Sequence, residues 1–155
     1  MPQMSFNSPL GPLTVFEEDG IIVALDWGWP PETQETPLLL RAVEQLEAYF
    51  NHSLTQFDLP MQPYGTDFQH RVWDAMSQIP FGQTRTYKDL ADQLGTSPRA
   101  IGMACGRNPI PILIPCHRIV GSNGSLGGYS AMDGVETKLE LLKHENPQYN
   151  QTVGL

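Results

Sequence analysis

Two residues able to carry out nucleophilic chemistry, Cys116 and His117, are adjacent in an otherwise apolar segment, and Arg118 follows them directly. A thiol is mostly protonated at neutral pH and becomes a nucleophile when a base or a positive charge lies beside it. His117 and Arg118 could provide these. A lone Cys on an apolar segment is, however, usually a small core residue, and a His beside it a satisfied one. The pair alone leaves both interpretations open.

Three prolines, Pro109, Pro111 and Pro115, precede or flank the cysteine. They exclude a regular helix and remove backbone donors, so the thiol is expected on a stiff extended turn. A turn of this kind can hold a reactive group in a cleft, which favours the chemical interpretation.

Several stretches of the chain resemble the signature of the O6-alkylguanine-DNA alkyltransferases. They are I-P-F-G-Q-T, P-R-A-I-G-x-A-x-G-R-N-P, I-P-C-H-R-I-V-G, L-G-G-Y-S and L-L-K-H-E. The likeness is dense from Thr66 to Glu145 and loose over the first sixty residues. It implies DNA repair by irreversible, stoichiometric transfer of an alkyl group from O6-alkylguanine to Cys116, with O4-alkylthymine as a further possible substrate and no cofactor.

The resemblance also implies roles for residues around the cysteine. His117 is expected to act as the base, through a water, and Glu145 to orient its imidazole. Asn108 is expected to connect the helix-turn-helix to the active-site turn. Tyr87 is expected to promote rotation of the nucleotide and to donate a proton to the guanine ring. The predicted substrate-binding residues are Arg118, Ile119, Tyr129 and Ser130, with backbone groups of Cys116, Ile119 and Ser130 contacting the base.

Two short helices are predicted before the cysteine, from Tyr87 to Leu94 and from Pro98 to about Gly106, joined at Gly95. Such a pair is typical of a helix-turn-helix, although helical hairpins are also common in cores. Small residues on the second helix suit close approach to another backbone. The resemblance implies minor-groove docking of double-stranded DNA, with Arg99 filling the gap left by an extruded base. The predicted DNA-binding residues are Tyr87, Lys88, Arg99, Ala100, Gly102 and Arg107, with Ala104 and Gly106 on the same slim surface.

Composition limits the classes of protein to consider. The chain has 155 residues, 40% of them hydrophobic, and a formal net charge of -8, which argues against a general nucleic-acid binder. Positive charge is nevertheless concentrated between Phe68 and Gly121, a segment that contains six basic and three acidic residues. Neither an export signal nor a membrane span is recognisable, so we expect a cytoplasmic, nucleoid-associated monomer. The two cysteines are expected to be reduced. Because neither lies near the start of the chain, where some members of the family bind zinc through cysteines, we expect no metal site.

The pattern predicts an α+β (α/β) fold in two domains. Residues 1–62 should form a small sheet-and-helix domain with a hairpin, Leu13–Glu17 and Ile21–Trp27, a helix over Leu38–Phe50 and a short strand at Phe57–Leu59. Residues 60–65 should be a linker. Residues 66–147 should form a mostly helical, winged helix-turn-helix-like domain carrying the cysteine, with helices capped by Thr66 and Thr86 and a last helix over Lys138–His144. Residues 148–155 should be a flexible tail.

One departure and three alternatives accompany this interpretation. Ala131, Met132 and Asp133 stand where glycines are common in the family, which bears on tolerance of bulky alkyl groups. The main alternative is an alkyltransferase-like protein that binds the lesion without repairing it, but such proteins have another residue at the position of Cys116. A cysteine hydrolase is disfavoured because hydrolases place these partners far apart in sequence and need an oxyanion hole that the sequence does not reveal. A DNA-binding regulator that uses the helix-turn-helix alone is disfavoured by the acidic first half of the chain and the absence of a dimerisation segment.

Overall fold

The computed structural model describes residues 1–29, 32–127 and 134–149. The chain divides into two compact units, Met1–Tyr64 and Gly65–Leu155. The predicted substrate-binding residues Tyr129 and Ser130, the departure at 131–133 and most of the predicted tail lie outside the described residues.

The first unit contains a three-stranded antiparallel sheet in the order β1–β2–β3. Its strands are β1 (Gln3–Ser8), β2 (Gly11–Glu18) and β3 (Ile21–Trp27). The turn between β2 and β3 has positive φ at Asp19 and Gly20, as tight hairpin turns require. The predicted hairpin is therefore confirmed, and β1 is an additional strand that the sequence analysis missed.

A single helix, α1 (Pro37–Phe50), packs on this sheet. It begins where the sequence predicts, because the Thr36 hydroxyl accepts a hydrogen bond from the Leu39 N–H at 3.0 Å and Pro37 occupies the first turn. Its buried face consists of Leu39, Ala42, Val43, Leu46 and Tyr49.

The predicted strand at Phe57–Leu59 is wrong. The backbone of Asp58 is bound instead by a side chain of α1: the Asp58 N–H donates to Gln45 Oε1 at 2.9 Å, and Gln45 Nε2 donates to the Asp58 carbonyl at 3.0 Å. Pairing with the sheet occurs slightly later, in the predicted linker, where Met61 forms a parallel bridge with Ile22. A side-chain amide has thus taken the place of a neighbouring strand.

The second unit is mostly helical. Its elements are α2 (Asp67–Ser77), β4 (Arg85–Thr86), α3 (Tyr87–Leu94), α4 (Pro98–Gly106), a 3-10 turn (Cys116–Arg118), β5 (Ile119–Val120) and α5 (Val135–Glu145). Thr66 and Thr86 form capping boxes at the starts of α2 and α3, and Gly95 ends α3 in the left-handed conformation. The predicted boundaries of α3 and α4 are confirmed, whereas α5 begins three residues before the predicted start at Lys138.

The helices of this unit pack around Trp73, which is 1% exposed and donates from its indole N–H to the carbonyl of Ala104 at 2.9 Å. This contact shows that Ala104 does not belong to the slim exposed surface predicted for α4. Ala104 faces α2 and is buried, whereas Ala100 and Gly102 are partly exposed and Gly106 is exposed. Together the two units form the predicted α+β fold.

Within the described parts of the chain, none of the helices has the length and apolar character that crossing a membrane demands.

Candidate active site

The loop before the cysteine is held by one side chain, that of Asn108. Its amide Nδ2 donates to the carbonyl of Ile114 at 2.9 Å, and its Oδ1 accepts from the N–H of Ile110 at 2.9 Å. Inside the loop, Ile112 is buried and has φ 74°, a conformation that is rare for a β-branched residue. Such strain persists only where surrounding contacts fix the backbone, and Asn108 supplies two of them.

The turn that carries the thiol is compact and buried. The Cys116 N–H donates to the carbonyl of Ile114 at 2.8 Å, and the Arg118 N–H donates to that of Pro115 at 3.0 Å. The Ile119 N–H closes the turn on the Cys116 carbonyl. β5 then pairs in parallel with β4, with Ile119 opposite Arg85 and Val120 opposite Thr86. Because Tyr87 follows Thr86 directly, this pairing brings the start of α3 beside the turn.

Glu145, near the end of α5, is the anionic centre of the site. It is 7% exposed and accepts hydrogen bonds from both Arg118 and His117. Arg118 binds it through two nitrogens, Nε to Oε1 at 2.8 Å and a terminal nitrogen to Oε2 at 2.9 Å. Burial alone would raise the pKa of Glu145, but these cationic and hydrogen-bonding partners outweigh it and hold the pKa far below its usual range. The carboxylate is therefore ionised at neutral pH.

His117 is fully buried, and burial lowers the pKa of its imidazole despite the nearby carboxylate. Its Nε2 lies 2.7 Å from Glu145 Oε2. An ionised carboxylate can only accept, so in the neutral imidazole Nε2 carries the proton and Nδ1 has a bare lone pair. Nδ1 is buried and has no hydrogen-bond partner among the described residues. His117, the residue next to Cys116, is thus a neutral base whose accepting nitrogen binds none of the described residues.

A turn before β4 completes the support of Glu145. The guanidinium of Arg118 donates to the carbonyl of Ile79 at 2.6 Å, and the Gly82 N–H points to Glu145 Oε1 at 3.4 Å. Gly82 has φ 83°, which a glycine adopts without strain. The stretch I-P-F-G therefore holds the pair of Arg118 and Glu145 in place.

Arg118 was expected to bind substrate, and its position is different. The residue is 7% exposed, and its guanidinium is committed to Glu145 and Ile79, 6.0 Å from the ring of Phe81. Its contacts neutralise and orient the carboxylate. Ile119, another expected substrate contact, is fully buried in β5, so only its backbone can serve a ligand.

A buried lysine, Lys138 on α5, is a further residue of the site that the sequence analysis missed. It is 0% exposed, and its Nζ lies 3.3 Å from the Tyr87 hydroxyl and 5.5 Å from the centre of that ring. Burial lowers the pKa of Lys138 to about 8, and the thiols of Cys116 and Cys105 oppose this shift electrostatically. One sequence signal could have revealed this lysine. A spacing of three and four residues places it on the same helix face as the residues Leu141, Leu142 and Glu145.

The two cysteines have different surroundings and are not joined by a disulfide. Burial raises the pKa of the Cys105 thiol to about 12, and its Sγ lies 3.5 Å from the sulfur of Met76. Cys105 is therefore a protonated thiol without an adjacent base, whereas Cys116 is followed directly by His117; Lys138 interacts electrostatically with both thiols. Among residues 1–29, 32–127 and 134–149, no group of three His, Cys, Asp or Glu side chains is placed to hold a metal ion.

The predicted DNA-binding residues lie on α3 and α4. Arg99, Lys88 and Arg107 are exposed, and Tyr87 is half-buried between the thiol-bearing turn and α4. Lys88 forms an ion pair with Asp92 at 2.7 Å on the surface. The exposed cations thus line the helix-turn-helix, and Tyr87 lies between it and the buried site.

Replacing Asn108 by Ala is expected to lower the free energy of unfolding of the second unit by about 1–3 kcal/mol, because the Ile110 N–H and Ile114 carbonyl lose their partner in a half-buried loop. Denaturant unfolding followed by tryptophan fluorescence measures the change. Asn123→Ala is the matched control, since Asn123 is exposed and its side chain accepts a hydrogen bond from the Ser125 N–H on the surface. Equal losses in the two variants would contradict the role given to Asn108.

Comparison with known proteins covers both units. The family model described as "6-O-methylguanine DNA methyltransferase, DNA binding domain" matches residues 67–147. The model described as "6-O-methylguanine DNA methyltransferase, ribonuclease-like domain" matches residues 3–63.

Similar curated proteins carry one name. A Mycobacterium tuberculosis protein named methylated-DNA–protein-cysteine methyltransferase is 43% identical over 150 residues, covering 91% of this chain and 90% of the relative. A Bacillus subtilis protein, named as the constitutive form, is 40% identical over 158 residues, covering 94% and 95%.

A similar solved structure is the crystal structure of Mycobacterium tuberculosis OGT in complex with DNA, with a TM-score of 0.85 and 40% identity over 95% of this chain and 94% of that one. Both family models match, and the relatives align along nearly their whole lengths. The chain therefore belongs to the 6-O-methylguanine DNA methyltransferase family.

Proposed function

We infer that this protein repairs DNA by moving the alkyl group of O6-alkylguanine, within a duplex, onto the sulfur of Cys116. The observation that carries this is the neutral His117, held by the ionised Glu145 with its bare Nδ1 on the side chain next to the thiol. Relatives at about 40% identity are named methylated-DNA–protein-cysteine methyltransferase. The alternative, lesion binding without repair, is not favoured because a cysteine occupies position 116.

The first step is loss of the thiol proton. The Nδ1 of His117 accepts it, through a water, and the imidazolium so formed is stabilised by Glu145 at 2.7 Å. Arg118 keeps the carboxylate ionised and in place. The Lys138 ammonium, whose pKa is about 8 because of burial, stabilises the thiolate of Cys116 electrostatically.

The second step is displacement at the alkyl carbon. The sulfur of Cys116 forms a bond to that carbon while the bond from the carbon to guanine O6 breaks, and both electrons of that bond remain with guanine. We propose that the Tyr87 hydroxyl, which accepts a hydrogen bond from Lys138 at 3.3 Å, gives its proton to a ring nitrogen of the departing guanine. The proton held by the imidazolium of His117 then passes through water to the tyrosinate, so the proton lost by the thiol ends on guanine and the products are a thioether and normal guanine.

The thioether makes the reaction stoichiometric, because a thioether sulfur is a poor leaving group and none of the described residues of the site is placed to remove the alkyl chain. One chain provides Cys116, His117, Glu145, Lys138 and Tyr87, so we propose that it acts as a monomer. We also propose that Tyr129 and Ser130 bind the substrate. In this proposal residues 1–62 form a supporting domain, and residues 66–147 form the domain that binds DNA and accepts the alkyl group. A cytoplasmic, nucleoid-associated location agrees with a DNA substrate.

Access to a paired base requires extrusion of the nucleotide. We propose that α4 enters the minor groove, that Arg99 occupies the space of the extruded guanine and that Tyr87 promotes its rotation. Ala100 and Gly102 allow close approach, and Lys88 and Arg107 contact phosphate. The exposed positions of Arg99, Lys88 and Arg107 support this arrangement.

The direct test is incubation with a duplex containing O6-methylguanine, followed by intact mass measurement and peptide mapping. We expect one methyl group per chain, on Cys116, and unmodified guanine in the DNA. Cys105 is an internal control, because burial raises its pKa to about 12. Methylation of Cys105, or more than one turnover per chain, would overturn the proposal.

Replacing Gly127 by Ala is expected to slow alkyl transfer about tenfold or more, because misplacing a proton donor removes part of its contribution. A methyl group at Gly127 would lie 2.5 Å from the Tyr87 hydroxyl and 2.8 Å from its ring, so the tyrosine would have to move. The rate with free O6-benzylguanine measures this without DNA binding.

Gly95→Ala is the matched control, since Gly95 also has a positive φ but open space where the methyl group would lie. It should cost stability through backbone strain and leave the rate on the free base unchanged. Equal rates for Gly127→Ala and the parent would show that Tyr87 does not depend on this close approach.

A further inference from the structure

An exposed methionine lies on the helix that we propose to enter the minor groove. Met103 of α4 is 66% exposed, although the exposed neighbours on this helix are small or charged. Single exposed apolar side chains are common on protein surfaces, so it is the position of Met103 on this helix, and not its exposure alone, that calls for an explanation. The mechanism described above does not use this residue.

Helix geometry fixes where Met103 lies relative to the other residues of α4. At about 100° per residue, Met103 is displaced by roughly 40° from Arg99, and Gly102 by roughly 60° in the opposite direction. Gly102 is the position that approaches Tyr87, since a methyl group there would be 3.8 Å from its ring. Arg99 therefore separates Tyr87, on the side of the reactive site, from Met103 on the far side.

The surroundings of Met103 favour an anionic occupant. Arg99 and Arg107 lie one turn before and one turn after it on the same exposed face of α4. Beside Met103 and Arg107 is a recess of about 330 Å³, also lined by Phe68, Ala100 and Ala104, which leaves the flexible thioether room to adjust. An apolar side chain flanked by two cations is suited to the sugars and base edges between two phosphate backbones.

We propose that Met103 lies in the minor groove beside Arg99 and makes the protein favour base pairs without a guanine amino group at the positions it covers. This proposal rests on the proposed function, because it assumes that α4 meets the lesion-containing duplex. In the minor groove, a G·C pair differs from an A·T pair by the 2-amino group of guanine, which is a donor. A thioether is a weak acceptor. When it covers the amino group it displaces the bound water but does not replace the hydrogen bond that the water made.

The test uses inosine, which pairs with cytosine and lacks the 2-amino group. A set of duplexes with one O6-methylguanine carries a G·C or an I·C pair at each of the positions flanking the lesion in turn. Single-turnover rates are measured below saturation for the parent, Met103→Gln and Met103→Ala. Gln keeps the length and helix propensity of Met but offers a carbonyl acceptor to the amino group.

For the parent we expect inosine to raise the rate by about three- to tenfold at one or two positions on one side of the lesion, the fold-change that corresponds to the net contribution of one hydrogen bond. Met103→Gln should abolish or reverse this effect, and Met103→Ala should flatten it. Leu40→Gln, the same type of change at a half-exposed position of α1, should keep the parental profile.

Identical inosine profiles in the parent and both Met103 variants, with repair intact, would overturn the role of Met103 and leave the proposed function standing. A chain that transfers no methyl group to Cys116 from any duplex would instead overturn the proposed function, and this proposal with it.

Discussion

Replacing Lys138 by Met is expected to remove a positive charge that favours the thiolate of Cys116 and to slow alkyl transfer about tenfold or more at neutral pH, since the thiolate is the nucleophile. The ammonium is fully buried and interacts electrostatically with this thiol. It also donates to Tyr87 at 3.3 Å, so the variant affects both the nucleophile and the proton donor.

The same substitution is expected to stabilise the fold. Burial lowers the pKa of Lys138 from 10.5 to about 8, so the native state binds fewer protons than the unfolded chain between these values. Stability therefore rises with pH across this window, and below about pH 8 the full cost of the buried charge, about 3 kcal/mol, is present. Lys138→Met should gain stability at neutral pH and lose this slope.

Two measurements check these expectations. The pH dependence of Cys116 modification by iodoacetamide, resolved by peptide mapping, reports the pKa of the thiol, and denaturant unfolding between pH 7 and 10.5 reports stability. Lys143→Met, an exposed position of the same helix, is the control and should change neither. An unchanged thiol pKa in Lys138→Met would remove Lys138 from the activation of the thiol and leave only its contact with Tyr87.

Replacing Arg99 by Ala is expected to slow repair of duplex DNA by roughly ten- to a thousandfold, because unstacking a base costs a few kcal/mol and the arginine offsets part of it. The rate on free O6-benzylguanine should hardly change, since a free base needs no extrusion. Single-turnover rates on both substrates decide the matter. An equal fall on both would mean that Arg99 supports the fold or the pocket.

Lys88→Ala provides the contrast for Arg99. Lys88 is exposed and paired with Asp92 at 2.7 Å, an arrangement of small energetic value that DNA can replace. Its loss should weaken binding modestly for all sequences and reduce the salt slope by about one unit. A Lys88 variant that behaves like Arg99→Ala would indicate a role beyond phosphate contact.

Local signals predicted the helices well. Thr36, Thr66 and Thr86 each begin a helix because a threonine hydroxyl satisfies an N–H that the helix leaves unpaired, and this requirement is visible in sequence. The strand predicted at Phe57–Leu59 failed because the competitor, the side chain of Gln45, lies 13 residues away in sequence from the Asp58 backbone that it binds. Local propensity contains no information on such a contact.

The residues of the site also fall into those that the sequence predicts and those that only the folded chain reveals. Cys116 and His117 are adjacent, so their partnership is visible in the sequence, and the resemblance supplied Glu145. The commitment of Arg118 to Glu145 and Ile79 joins residues 27 and 39 positions apart, and only the folded chain shows it. Lys138 was missed because a lysine in an amphipathic helix is ordinarily solvated, and only tertiary packing places it at 0% exposure.

The separation of His117 and Glu145 by 28 positions has a consequence for the protein during its own synthesis. A ribosome that has translated the thiol and its base has not yet translated the carboxylate that sets the tautomer of His117, nor Lys138. Until α5 has emerged and folded, Cys116 therefore has beside it neither of the charged groups, Glu145 and Lys138, that support the proposed alkyl transfer. A nucleophile that is spent by a single alkylation thus acquires its complete site only after α5 has been made.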